Sequence, residues 1–170
     1  MLKIQKHILG VTDEKVPLES SEDHRRATQR MTEQARRFLA IISPDLDPAV
    51  YDTQEFVDAV KRLVLLNRFT HVRVLVFDPL AIVKRGHRMF ELMLHLTSFI
   101  EFRVPGFEYD SFNETLFIAD EAGYIIRRSA ERYEGSLNFN DPRSARILMK
   151  QFDEMWRKAK PDPNLKRVSL

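Results

Sequence analysis

The sequence predicts a single α/β domain in which a mixed sheet is flanked by helices. Two observations carry this. Up to His95, short apolar runs alternate with segments whose apolar residues recur at helical spacing. Beyond it, a hairpin signal and a last strand lead into a long amphipathic segment.

At 170 residues, the chain has room for one core. Hydrophobic residues at 44% and charged residues at 31% suit a soluble fold and argue against disorder outside the ends. The absence of cysteine excludes disulfides, thiolate metal sites and cysteine nucleophiles. A net charge of +2, from 27 basic and 25 acidic residues, is too balanced for nucleic-acid binding by bulk charge, so any anion preference must be local. Met1 to Gly10 carries Lys3, Lys6 and His7 among isolated apolar residues, and no window reaches the length of a membrane span; the expectation is a cytoplasmic protein.

Residues 1–22 show no periodicity and are expected to form a leader that packs loosely or along an edge. Ser21 or Asp23 is placed to cap a helix over 23–37, with Ala27, Met31, Ala35 and Phe38 at helical steps. Phe38 to Ile42 is a continuous apolar run, hence a buried strand, and Ser43-Pro44-Asp45-Leu46-Asp47-Pro48 reads as the turn that ends it. Thr53 caps a second helix with Phe56, Val57, Val60, Leu63 and Val64 on one face. Val72 to Phe77 is a β-branched strand stopped by Asp78-Pro79, and His87 to Thr97 supplies another apolar helical face. This alternation argues for parallel strands joined by helical crossovers.

Ile100 to Val104 is then a short strand, and Thr115–Ala119 pairs with Tyr124–Arg128 through a turn of hairpin length at 120–123. A strand over 135–139 precedes Asp141-Pro142, where Asp141 caps and Pro142 opens a helix bearing Ala145, Leu148, Met149, Phe152 and Trp156. The domain is expected to span 23–159, with 160–170 a flexible tail.

The hairpin, the strand after it, the Asp-Pro turn and the long terminal helix ending at Trp156 resemble one repeat of the phospholipase D superfamily, over roughly residues 25–158. In that family the hairpin carries His-x-Lys-x-x-x-x-Asp, then a six-residue interval and Gly-Ser-x-Asn. Laid on this chain, the first motif falls on Asn113, Thr115 and Asp120. The resemblance implies a nucleophilic histidine, a lysine that stabilises phosphoryl charge and an aspartate that holds the motif. Asn113 offers no nucleophilic lone pair and Thr115 no positive charge, so two of the three positions are replaced. The second motif falls near Arg127-Arg128-Ser129-Ala130, leaving its Gly and Asn missing. The chain also resembles short bacterial proteins of unassigned function, some associated with acetyltransferases. Its five glycines are isolated and build no pyrophosphate loop, so no cofactor is expected.

Lys84-Arg85-Gly86-His87-Arg88 gathers cations beyond a predicted strand, on the side where open α/β sheets bind ligands. With Arg127, Arg128 and Ser129 it forms a candidate anion site. The competing reading makes these residues solvated and paired with Glu91 or Asp78. Asp45 and Asp47 suit a turn better than a metal site, because no further ligand accompanies them. Phe107, Tyr109, Phe112, Phe152 and Trp156 read as core packing or dimer contact rather than base-stacking platforms.

The expected function is a non-catalytic phospholipase D-like domain that binds a protein partner or phosphate-containing ligand. Single-repeat members of the superfamily commonly dimerise, so the resemblance implies a homodimer. The alternatives are a phosphodiesterase or phosphotransferase with His87 as nucleophile and Arg127 or Arg128 holding charge, and a nucleic-acid-binding adaptor.

Overall fold

The computed structural model describes residues 2–165, so the end of the expected tail lies outside the described residues. Seven strands form one sheet: β1 (Val16–Leu18), β2 (Phe38–Ile42), β3 (His71–Leu75), β4 (Ile100–Arg103), β5 (Thr115–Ala119), β6 (Gly123–Arg127) and β7 (Gly135–Asn138). Their spatial order is β1-β7-β6-β5-β2-β3-β4. β2, β3 and β4 are parallel, whereas β5 is antiparallel to β2 and the remaining pairs are antiparallel. The sheet is therefore mixed, its two halves meeting where β5 lies against β2.

The helices are α1 (Ser21–Gln34), α2 (Pro48–Tyr51), α3 (Gln54–Val64), α4 (Pro79–Arg85), α5 (Arg88–His95) and α6 (Pro142–Lys158). β2 is buried on both faces, which is why it reads as an unbroken apolar run. Leu39 and Ile41 join the core under α1, α3 and α5, while Phe38, Ala40 and Ile42 meet α6 through Phe152, Met155 and Trp156. α1 starts at Ser21 because the Ser20 hydroxyl accepts from the Asp23 amide, and it stops before the predicted end. The predicted caps Thr53 and Asp141 stand in place, accepting from the amides of Phe56 and Ser144.

The leader packs along the sheet edge, one of its two expected placements: it contains β1, paired with β7, and buries Leu2 and Ile4 in the core. One expectation needs correction. Asp47-Pro48 and Asp78-Pro79 do not merely end strands. Each aspartate caps a short helix, α2 or α4, whose first residue is the proline. Among the aromatics, Phe152 and Trp156 stack in the core and Phe112 stacks on Phe77, but Phe107 is 86% exposed.

Candidate functional site

The carboxyl ends of β2 and β3 face the start of β5 and the end of β6. In this corner a cavity of about 470 Å³ is lined by Ser43, Asp45, Asp47, Asp78, Asn113, Thr115, Arg127, Glu131 and Tyr133, among others. Thr115, Phe117 and Ala119 alternate onto the α1 face, and cross-strand pairing sets Thr115 opposite Arg127 and Arg127 opposite Gly135. The sheet thus brings Asn113 and Thr115 together with Arg127. It is an open α/β sheet with its cavity where strand direction changes.

Arg127 is committed inside the protein. Its Nη1 donates to Asp47 Oδ2 at 3.3 Å, its Nε to the Arg132 carbonyl at 2.9 Å and its Nη2 to the Ala130 carbonyl. The guanidinium also lies over the Tyr133 ring, 4.6 Å from its centroid. Tyr133 donates its hydroxyl to the same Asp47 oxygen at 2.9 Å, while the other takes the Ala49 amide at 3.1 Å. Burial, and then the bond to Asp47, raise the Tyr133 phenol above its ordinary range. Burial likewise raises Tyr51. Arg127 therefore ties α2 to the loop after β6, and its charge is met by Asp47.

The other proposed anion ligands do not converge with it. Lys84 is exposed, and Arg85 approaches Asp45 at 3.6 Å. Arg88 pairs with Asp52 at 3.2 Å and also takes its backbone carbonyl. Arg85, His87 and Arg88 line a separate open cavity of about 600 Å³ with Asp52, Glu91 and His95. The segment 45–47 stands between the two sets: Asp45 and Leu46 contact the first, Asp47 the second. Arg128 points outward, 4.0 Å from Glu114, and Ser129 Oγ accepts from Asn113 Nδ2 at 3.4 Å.

His87 is a structural histidine. It is 3% exposed, its Nε2 lies 2.8 Å from the Leu46 carbonyl, and its Nδ1 accepts from the Met89 amide at 3.1 Å, capping α5. Nδ1 must stay unprotonated to accept, so Nε2 carries the hydrogen and donates. Neither nitrogen is left to attack phosphorus, and among the described residues no histidine lines the 470 Å³ cavity. Burial lowers the His87 pKa, against the smaller opposing effect of the Leu46 carbonyl, and burial lowers His24 as well. The unfolded imidazoles take protons near their ordinary 6.5, so acidification favours the unfolded chain. Stability is expected to be full above that pH and to fall between pH 7.5 and 5.5, read as a decreasing urea midpoint. A midpoint that is flat or rises on acidification contradicts this.

Asp120 occupies the left-handed region (φ 57°) in the β5–β6 turn, at the end of the hairpin away from the cavity. Its carboxylate accepts the amides of Arg36, Arg37 and Phe38 at 2.9, 2.7 and 3.0 Å. It holds the entry to β2 to the hairpin and touches no cavity residue.

The Gly-Ser-x-Asn pattern is present after all, at Gly135-Ser136-Leu137-Asn138, separated from Asp120 by residues 121–134. A fixed six-residue interval hides it, because the loop after Arg127 lengthens the connection. Gly135 is required where it stands: a Cβ there would lie 2.2 Å from the Ile126 carbonyl oxygen. Asn138 is 3% exposed at the opposite end of β7, donates to Asp13 and accepts from the amides of Glu14 and Asn140. It anchors the N-terminal segment rather than serving the cavity.

Solved structures with this fold include TrmBL2, an archaeal chromatin protein described as showing a novel mode of DNA binding. It has 16% identity and a TM-score of 0.66 over 94% of this chain, which spans only 57% of that protein. The phospholipase D family member Nuc from Salmonella typhimurium is 13% identical, with a TM-score of 0.57 over 86% of this chain and 97% of its own. NucT from Helicobacter pylori is 11% identical, with a TM-score of 0.61 over 88% and 99%. No curated protein sequence matches the chain significantly. The chain has a phospholipase D-like fold and, through a family model matching residues 20–168, belongs to the family described as Domain of unknown function (DUF7931).

Proposed function

We propose that this is a cytoplasmic, non-catalytic phospholipase D-like module that uses its cavity for binding. The observation that carries the reading is the occupancy of the hairpin corner. Asn113 and Thr115 stand where the superfamily's motif has histidine and lysine, and the guanidinium nearest to them is neutralised by Asp47. A phosphodiester there would meet neither an imidazole nucleophile nor a free charge clamp, each of which contributes orders of magnitude in rate. Incubation with bis(p-nitrophenyl) phosphate is expected to release nitrophenol no faster than buffer. Protein-dependent turnover would sink the reading in favour of an enzyme, and its loss in a still-folded His87→Ala variant would assign the attack to His87.

A second reading, nucleic-acid binding, is favoured by the outer face of α6. Arg143, Lys150 and Arg157 are exposed there, with no carboxylate partner among the described residues. The DNA binding attributed to TrmBL2 gives this reading a precedent on the same fold. Three phosphate contacts predict that log K falls against log salt with a slope of about −2.7 on duplex DNA. Affinity unchanged between low and moderate salt would dispose of it.

A further inference from the structure

The geometry points to an organic polyammonium ion, of the size of a diamine or triamine, as the ligand of the 470 Å³ cavity beside Asn113 and Thr115. This inference rests on the reading of the domain as a binding module and names what it binds.

The first observation is the sign of the lining charge. Asp45, Asp47, Asp78 and Glu131 face the cavity, and Arg127 is its only cation among the described residues. Asp47 is matched by Arg127, and Asp45 has a loose contact with Arg85 at 3.6 Å. Asp78 accepts only the Ala81 amide, and Glu131 makes no ion pair among the described residues. Two carboxylates are thus left without a counter-charge at one opening. A phosphate entering here meets repulsion, and a cation meets attraction that the concave wall strengthens.

The second observation is independent of charge. Thr115 is only 7% exposed, its hydroxyl has no hydrogen-bond partner among the described residues, and it lines the same cavity. The side chain is otherwise enclosed while this oxygen stays within reach of solvent, so a ligand or solvent polar group in the cavity can pair with it. Its lone pairs can accept an ammonium proton, as can the side-chain carbonyl of Asn113.

Size and spacing select the kind of cation. The cavity lies within the range of small-molecule sites. Among the described residues no three Asp, Glu or His side chains converge tightly enough to ligate one metal ion. Acceptors that range from the exposed Asp78, Asn113 and Glu131 to the buried Thr115 suit charges separated along an alkyl chain, whose methylenes need no hydrogen bonds.

Isothermal titration with spermidine and with putrescine at low ionic strength tests this. Wild type is expected to bind, and Asp78→Asn and Glu131→Gln each to weaken binding by about tenfold, equivalent to about 1.4 kcal/mol. Asparagine caps a helix as well as aspartate does, so α4 survives the first change. Thr115→Val is expected to weaken binding severalfold. The inference is overturned if neither amine binds, if binding ignores both carboxylate changes, or if phosphate or a neutral polyol binds in their place. The phosphodiester assay on the same preparation separates the two levels: no amine binding with no turnover removes the ligand class alone, and turnover removes the non-catalytic reading.

Discussion

Replacing Arg127 by methionine is expected to cost about 3 to 5 kcal/mol of folding stability, the range for breaking a buried ion pair by deleting one partner. The side chain is 6% exposed and that of Asp47 is 19% exposed, so solvent screens the pair only weakly. Methionine keeps most of the volume, so the loss measures charge and hydrogen bonding rather than a cavity. Three groups lose their donor at once: Asp47 and the carbonyls of Ala130 and Arg132. Lysine is expected to recover little, because one ammonium cannot span acceptors arranged for a planar fork. The measurement is the urea midpoint with hydrogen exchange across residues 128–134, which should lose protection beyond the global destabilisation. A double change, Asp47→Asn with Arg127→Met, should cost less than the sum of the two singles, since the stranded charge is gone. A loss below about 1 kcal/mol in the single variant would mean that Arg127 is a solvated residue available to ligands.

Local chemistry was legible in the sequence wherever one segment determines its own structure. The unbroken run Phe38–Ile42, the caps Thr53 and Asp141, and the hairpin at 115–127 follow from burial, capping and turn preference. The same capping rule explains the short helices that the turn reading missed. The chain contains four Asp-Pro pairs, at 47–48, 78–79, 141–142 and 162–163, and each proline opens a helix or a single helical turn. From sequence only the third reads as a helix start, because only there does a long amphipathic pattern follow directly.

The candidate site was harder to read, since its partners are far apart in sequence. Arg127 sits two residues after Ile125 on the same face of β6, an inward position that alternation alone reveals. That its counter-charge is Asp47 depends on how the chain returns between β2 and α2, which no local pattern encodes. The cations at 84–88 look like a cluster in sequence, but the segment 45–47 separates them from Arg127.

Replacing Asp120, the position that the resemblance aligns with the aspartate of the superfamily's hairpin motif, by alanine is expected to cost about 3 kcal/mol. The carboxylate accepts three successive amides at the entry to β2, and hydrogen bonds to a charged acceptor contribute about 1.5 to 3 kcal/mol each when shielded. Two of the three lie at exposed backbone, so the sum is discounted to roughly 2 kcal/mol. Alanine adds about 1 kcal/mol more, because a φ of 57° suits Asn, Asp or Gly. Asparagine is the informative comparison. It accepts the left-handed turn and keeps one carbonyl oxygen for Arg37 and Phe38, losing the acceptor for Arg36 and the charge. The expected order of urea midpoints is wild type, Asp120→Asn, Asp120→Gly, Asp120→Ala. In all three variants amine affinity should stay within about twofold of wild type, since Asp120 lies at the far end of β5 from Thr115. An Asp120 variant that folds normally but loses cavity binding would show that this aspartate serves the site itself, as it could not from its present place under the amides of residues 36–38.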